Sequence, residues 1–238
     1  MAVYNINGTR IDLEGGGGHD YSFLSGKSYI AIGDSIVMNS GTKLAPVTVS
    51  GEVLYGYTQF IEDRYGLICT NRGESGHTVV QDYGSLVAID YSNVSLVTIG
   101  YGVNDGRLNV PIGTRESTDV TTFAGALGSL IKNIYSENKK CRVLVLTPIQ
   151  RNLVNGWGSY TQNSNGNTLE EFAEMCKSVA NYYGTPCVDL FHNSGLNSSD
   201  ISSLTFEGVH PNNKGYNRMA NCIMEYLDAL FELSENFA

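Results

Sequence analysis

A chain of 238 residues, 42% hydrophobic and 16% charged, has the length and apolar content for one globular domain; a domain of that size buries about 70–75% of its unfolded surface. Its 15 Lys+Arg against 24 Asp+Glu give a net charge of −9 with no basic run, which excludes nucleic acid or an anionic membrane surface held through clustered cations. The longest apolar runs, Val94–Ile99 and Val143–Leu146, are too short to span a bilayer.

Residues 1–27 read as a polar arm whose Gly15-Gly16-Gly17-Gly18 run is a flexible joint, and 28–238 read as one domain. The start, Met1-Ala2-Val3-Tyr4-Asn5-Ile6, has neither a basic nor an apolar leader region. No signal peptide is read, and a cytoplasmic place, or one within a larger assembly, is expected. The first strand is expected at 28–33 and runs into Gly33-Asp34-Ser35. A loop-rich stretch, 37–54, leads to a helix at about 55–64, a strand at 66–71 and the block Asn71-Arg72-Gly73-Glu74-Ser75-Gly76-His77-Thr78. A helix at 78–88 precedes a strand at 94–100 and the block Gly100-Tyr101-Gly102-Val103-Asn104-Asp105. A helix over 118–138 and a strand at 141–147 follow, then a second loop-rich stretch, 150–168, with Trp157 and Tyr160. After a helix at 169–183 and a strand at 186–190, the block Phe206-Glu207-Gly208-Val209-His210-Pro211-Asn212 opens the way to a last helix at 214–233. Short apolar strands alternating with amphipathic helices predict an α/β fold with a parallel sheet covered on both faces. Ligands bind outside the carboxyl ends of such strands, where Ser35 and two further blocks fall.

A serine hydroxyl at a strand end, an imidazole and a carboxylate three residues before it are the parts of a nucleophilic hydrolase. Each block alone is a common turn sequence. In this order, from 28 to 220, they resemble the SGNH (GDSL-type) hydrolase family, most strongly at Ile32 to Ser35 and at Gly208 to Asn212. The resemblance implies a three-layer α/β/α sandwich with a five-stranded parallel sheet in flavodoxin-like order. It implies Ser35 as nucleophile, His210 as general base and Glu207 as third triad member. The backbone N–H groups of Ser35 and Gly76 and the side-chain amide of Asn104 then form the oxyanion hole. Those roles are chemically apt. Serine needs a base during attack, and preorganised donors stabilise the oxyanion, each worth about 10²–10³ in turnover. The family's usual acid is aspartate, so the longer Glu207 must reach His210 from farther back or along a different path.

The implied activity is a serine esterase acting on small acyl esters, acetyl first, carried by a saccharide. The extra loops are polar with aromatics, and no apolar lid is visible. A thioesterase or lysophospholipase of the same family is the alternative enzyme, and a non-catalytic carbohydrate-binding module the alternative outside enzymes. His77 is expected near the pocket or in a plain loop, and His192 as a cap on the last strand. Asp34 and Asp105 are expected to bond backbone N–H groups, and Arg72 and Arg107 to be solvated. Trp157 and Tyr160 fit either a packed loop or a sugar-stacking face. Gly26-Lys27-Ser28 does not make a P-loop, because Tyr21 stands where its first glycine belongs. There is no Gly-x-Ser-x-Gly elbow. The five scattered cysteines and four histidines (His19, His77, His192, His210) form no metal-binding or disulfide pattern. No metal or cofactor is expected.

Overall fold

The computed structural model describes residues 2–4, 10–12 and 20–235. The Gly15–Gly18 run and His19 lie outside the described residues. Within the arm, Ala2–Tyr4 and Arg10–Asp12 pair as an antiparallel ribbon.

Five parallel strands make the central sheet: β1 (Ser28–Gly33), β2 (Ile68–Gly73), β3 (Val94–Gly100), β4 (Arg142–Leu146) and β5 (Cys187–Val188). Their order is β2-β1-β3-β4-β5, the flavodoxin-like arrangement. Every crossover is expected to be right-handed, so reversing the direction of travel across the sheet also changes the face on which the helix lies. The step from β1 to β2 runs one way, and every later step runs the other. The helices divide accordingly. Helix α2 (Tyr57–Tyr65) packs with the last helix, α9 (Asn213–Glu235), while α3 (Val79–Leu86), α5 (Phe123–Glu137) and α6 (Leu169–Tyr182) pack in succession. Both faces of β1 are therefore covered, and Tyr29, Ala31 and Ile32 are fully buried. The Tyr29 hydroxyl is satisfied by Thr98 on the neighbouring strand, 2.8 Å away.

Several local features differ from the sequence expectation: the strand expected over 66–71 runs over Ile68–Gly73, and the helix expected over 118–138 begins only at Phe123, where the Thr122 hydroxyl accepts from the Gly125 N–H and caps it. The stretch expected to be loop from 37 begins inside a short helix, α1 (Ser35–Ser40), because the Asp34 carboxylate accepts from the Ile36 N–H at 2.9 Å and caps it. The remainder of that stretch holds a small hairpin, Thr48–Val49 with Glu52–Val53. The last strand, expected over 186–190, stops at Val188, since Asp189 caps a new turn of helix, α7 (Leu190–Asn193), by accepting from the His192 N–H. His192 thus lies inside that helical turn, bonded to Asp189 and Glu170, and does not cap the strand.

Candidate active site

The strand order reverses between β1 and β3, and the crevice beyond that point is where open α/β sheets place their sites. Gly33 is in register with Gly73 on one side and Gly100 on the other. A Cβ on Gly33 would lie 2.3 Å from the Gly100 carbonyl oxygen and from a Val37 methyl, and one on Gly73 would lie 2.2 Å from the Met38 nitrogen. Glycine at these two positions lets α1 settle directly onto the strand ends, which brings its first residue, Ser35, to the crevice. Ser35 is 8% exposed, and its Oγ lies 2.9 Å from His210 Nε2.

His210 stands on a second small hairpin, Thr205–Phe206 with His210–Pro211. Its turn uses consecutive left-handed residues, Glu207 at φ +42° and Gly208 at φ +78°, and closes with Val209 N–H donating to the Phe206 carbonyl. The tight turn brings the Glu207 carboxylate back onto His210 Nδ1, and the two are bonded. A carboxylate can only accept, so Nδ1 carries the proton and Nε2 is left to accept from the Ser35 hydroxyl. Glu207 is half exposed and His210 is 30% exposed. The hairpin is tied to the rest of the crevice by Asn152 N–H, which donates to the Gly208 carbonyl. The following helix is tied to it by the Tyr216 hydroxyl, which donates to the Ile36 carbonyl at 2.6 Å.

Gly76 lies in a turn after β2 with φ +80°, and a Cβ there would meet nothing within 4 Å. Asn104 sits in α4 (Val103–Arg107), just after β3, and is 6% exposed. Its Nδ2 donates to the His77 carbonyl at 3.1 Å, and its Oδ1 accepts from Arg107 Nε and Nη2. Because a guanidinium only donates, Arg107 fixes which end of the amide is oxygen, and one Nδ2 hydrogen remains for a further acceptor. Arg107, expected to be solvated, is exposed, and it also bonds the Asn104 amide oxygen.

Asp34 and Asp105 bond backbone N–H groups. Asp105, fully buried, accepts from Gly102 and Val79, fixing α4 to the start of α3. Burial pushes its carboxyl up to about 8 against those two donors. Asp34 is pushed up to about 6, also by burial, with the Ile36 N–H and nearby His210 pulling it back.

Asp82 escaped the sequence reading. It is 6% exposed on α3 and accepts from His77 Nδ1 at 2.6 Å and from the Tyr101 hydroxyl at 2.7 Å. The Asp82 contact raises the His77 pKa, and His77 in turn holds Asn104 through its carbonyl. The only available signal was a carboxylate just inside a helix that opens with the Thr78–Gln81 capping box. Trp157 is packed at 6% exposure, whereas Tyr160 stays more than half exposed. Among the described residues the group with metal-ligand geometry, Glu174, Asp189 and His192, is already bridged by Lys177, whose Nζ lies 3.0 Å from Asp189.

A chain of hydroxyl, imidazole and carboxylate can move a proton off an attacking oxygen. Residues 31–218 match the model of the GDSL-like lipase/acylhydrolase family. No curated protein matches the sequence. Solved structures that share the fold include a protein from Lactobacillus plantarum, 23% identical with TM-score 0.71, covering 87% of this chain and 98% of its own. A second, described as a possible lipase from Chitinophaga pinensis, is 23% identical with TM-score 0.69, covering 85% and 98%. A third is a variant of Axe2, an acetyl-xylooligosaccharide esterase from Geobacillus stearothermophilus, 21% identical with TM-score 0.61, covering 84% and 94%.

Proposed function

Since the chain belongs to the GDSL-like lipase/acylhydrolase family, we propose that it is a serine esterase that removes small acyl groups, acetyl first, from a saccharide. The observation that carries this reading is the unbroken chain Ser35–His210–Glu207 at the strand-order reversal. Ser35 Oγ attacks the ester carbonyl as His210 Nε2 takes its proton. The charge passes to the carbonyl oxygen, which the N–H groups of Ser35 and Gly76 and the free hydrogen of Asn104 Nδ2 stabilise. His210 then protonates the leaving alcohol, and water, activated by the same imidazole, releases the acid. Glu207 holds the tautomer and the imidazolium. In this reading, residues 28–238 are the catalytic domain and 1–27 an appended arm.

Acetyl on a saccharide is favoured by the polar loops around the crevice and by the fold shared with a protein named as an acetyl-xylooligosaccharide esterase. A thioesterase or lysophospholipase is favoured instead by Leu108 and Leu153, exposed at 42% and 68% on the loops after β3 and β4. Turnover of 4-nitrophenyl acetate against the octanoate ester separates the two. Acetate preference abolished by Ser35→Ala supports the esterase reading, octanoate preference supports the lipid enzyme, and no turnover of either leaves a binding module.

A further inference from the structure

In a chain with 15 cationic side chains against 24 acidic ones, arginines find carboxylates readily: Arg64 pairs with Asp228, Arg115 with Glu116 and Arg218 with Asp200. Arg107 and Arg151 do not. Neither has a carboxylate partner among the described residues, and Arg107 lies within electrostatic reach of Arg151. Arg151 is 7% exposed, stacked on Trp157 with its guanidinium carbon 5.2 Å from the ring centroid. The guanidinium's only polar partners among the described residues are two long contacts to carbonyls, Asn152 at 3.5 Å and Val154 at 3.3 Å. Burial first, and Arg107 second, lower its pKa. The buried indole N–H of Trp157 has no acceptor among the described residues.

This donor-rich place adjoins the reacting groups. Arg107 bonds Asn104. Trp157 covers Gly106 so closely that a Cβ there would meet ring carbons at 2.5 Å. Asn152, next to Arg151, bonds the Gly208 carbonyl beside Glu207. Arg107 therefore touches the Asn104 end of the site, and Arg151 lies in the loop that bonds the turn carrying Glu207 and His210. Arg151 is buried and Arg107 exposed; a buried cation without a counter-charge is unfavourable, and a guanidinium fork matches a carboxylate with two parallel hydrogen bonds.

We propose that Arg107 and Arg151 form an anion subsite that takes the carboxylate of a sugar acid bearing the acyl group. This rests on the esterase reading above and names its substrate class. The test compares acetylated methyl glucuronoside with acetylated methyl glucoside, which differ only in the carboxylate. The expected kcat/KM is about ten- to a hundred-fold higher for the uronoside, as for charge-assisted hydrogen bonds elsewhere. The ratio should shrink in high salt and fall toward one in Arg151→Met and in Arg107→Gln. Arg107→Gln also slows both substrates through Asn104, so the ratio is the readout. Should Arg151→Met fail to fold, competitive inhibition of the unaltered protein by glucuronate, with none by glucose, gives the same support. Equal kcat/KM for the two esters overturns the proposal, as does a ratio that survives both substitutions. A preference for acetylated glucose 6-phosphate over the uronoside overturns the carboxylate assignment. Absence of 4-nitrophenyl acetate turnover would sink the esterase reading instead, and calorimetry with glucuronate against glucose would still decide the subsite.

Discussion

Glu207 combines an unfavourable backbone with a demanding chemical position. Non-glycine residues avoid φ +42°, at a cost of about 1 kcal/mol, yet this conformation brings the carboxylate onto His210. Glu207→Gln keeps the shape and removes the charge that stabilises the imidazolium. A buried triad acid changed this way costs ~10⁴ in turnover, and the solvated Glu207 is expected to cost roughly 10²–10³. Steady-state kinetics check this, and near-normal turnover would mean that another group orients the histidine. Ser35→Ala and His210→Ala should each cost about 10⁴–10⁶, and the double variant no more than the worse single one, because members of the chain act as a unit. Multiplied losses would show independent roles. Ser35, Gly76, Asn104 and His210 were legible as candidates because each belongs to a short ordered block, and the structure joins Ser35 to His210. Asp82 and Arg151 were not. Their partners are set by how α3 and the loop after β4 pack in space, which leaves no local pattern in the chain.

At the scale of elements, strands β1 and β3 were legible to the residue, because apolar runs ending in glycine can only be buried parallel strands here. Helix α1 was not, because six residues give no periodicity to detect; its one signal is the Asp34 cap. Element packing also sets a pH dependence. Asp105 locks α4 to α3, and its carboxyl moves from an ordinary 3.8 to about 8 on folding. Between those values the folded state holds a proton that the unfolded chain does not, so stability falls as pH rises through them and levels above about 8. Asp34, moved up to about 6, acts with the same sign. So does His77, whose raised pKa means that its contribution is lost as pH rises. Urea unfolding should therefore show lower stability at pH 8.5 than at pH 5. Asp105→Asn forfeits one of the two backbone hydrogen bonds, about 1–3 kcal/mol at pH 5, and that deficit should narrow by pH 8.5. A deficit constant with pH would mean that Asp105 is ionised throughout.

Across the whole molecule, chemistry and cohesion occupy opposite ends of the sheet. The crevice lies beyond the carboxyl ends of the strands. Arg64 and Tyr65, at the end of α2 and just before β2 begins, mark the other edge. There Asp228 on α9 receives Arg64, Tyr65 and Tyr21 together, joining both helices of that face to the segment leading into β1. Burial alone would push the Asp228 carboxyl up, but those three partners hold it below the ordinary range. Its contribution is therefore present above the unfolded-state pKa and lost as pH falls through the lower folded value. Asp228→Asn keeps the shape but leaves Arg64 without a counter-charge, a loss of about 2–3 kcal/mol for charge-assisted bonds. In a domain of this size that corresponds to a fall in Tm of roughly 4–12 °C at neutral pH, and the difference should shrink in acid. Turnover of 4-nitrophenyl acetate at room temperature should stay within about two-fold, because among the described residues Asp228, Arg64 and Tyr65 bond to no group in the crevice, and distant sites act independently. A loss of activity at room temperature that tracked the fall in Tm would instead show the two ends coupled through the sheet.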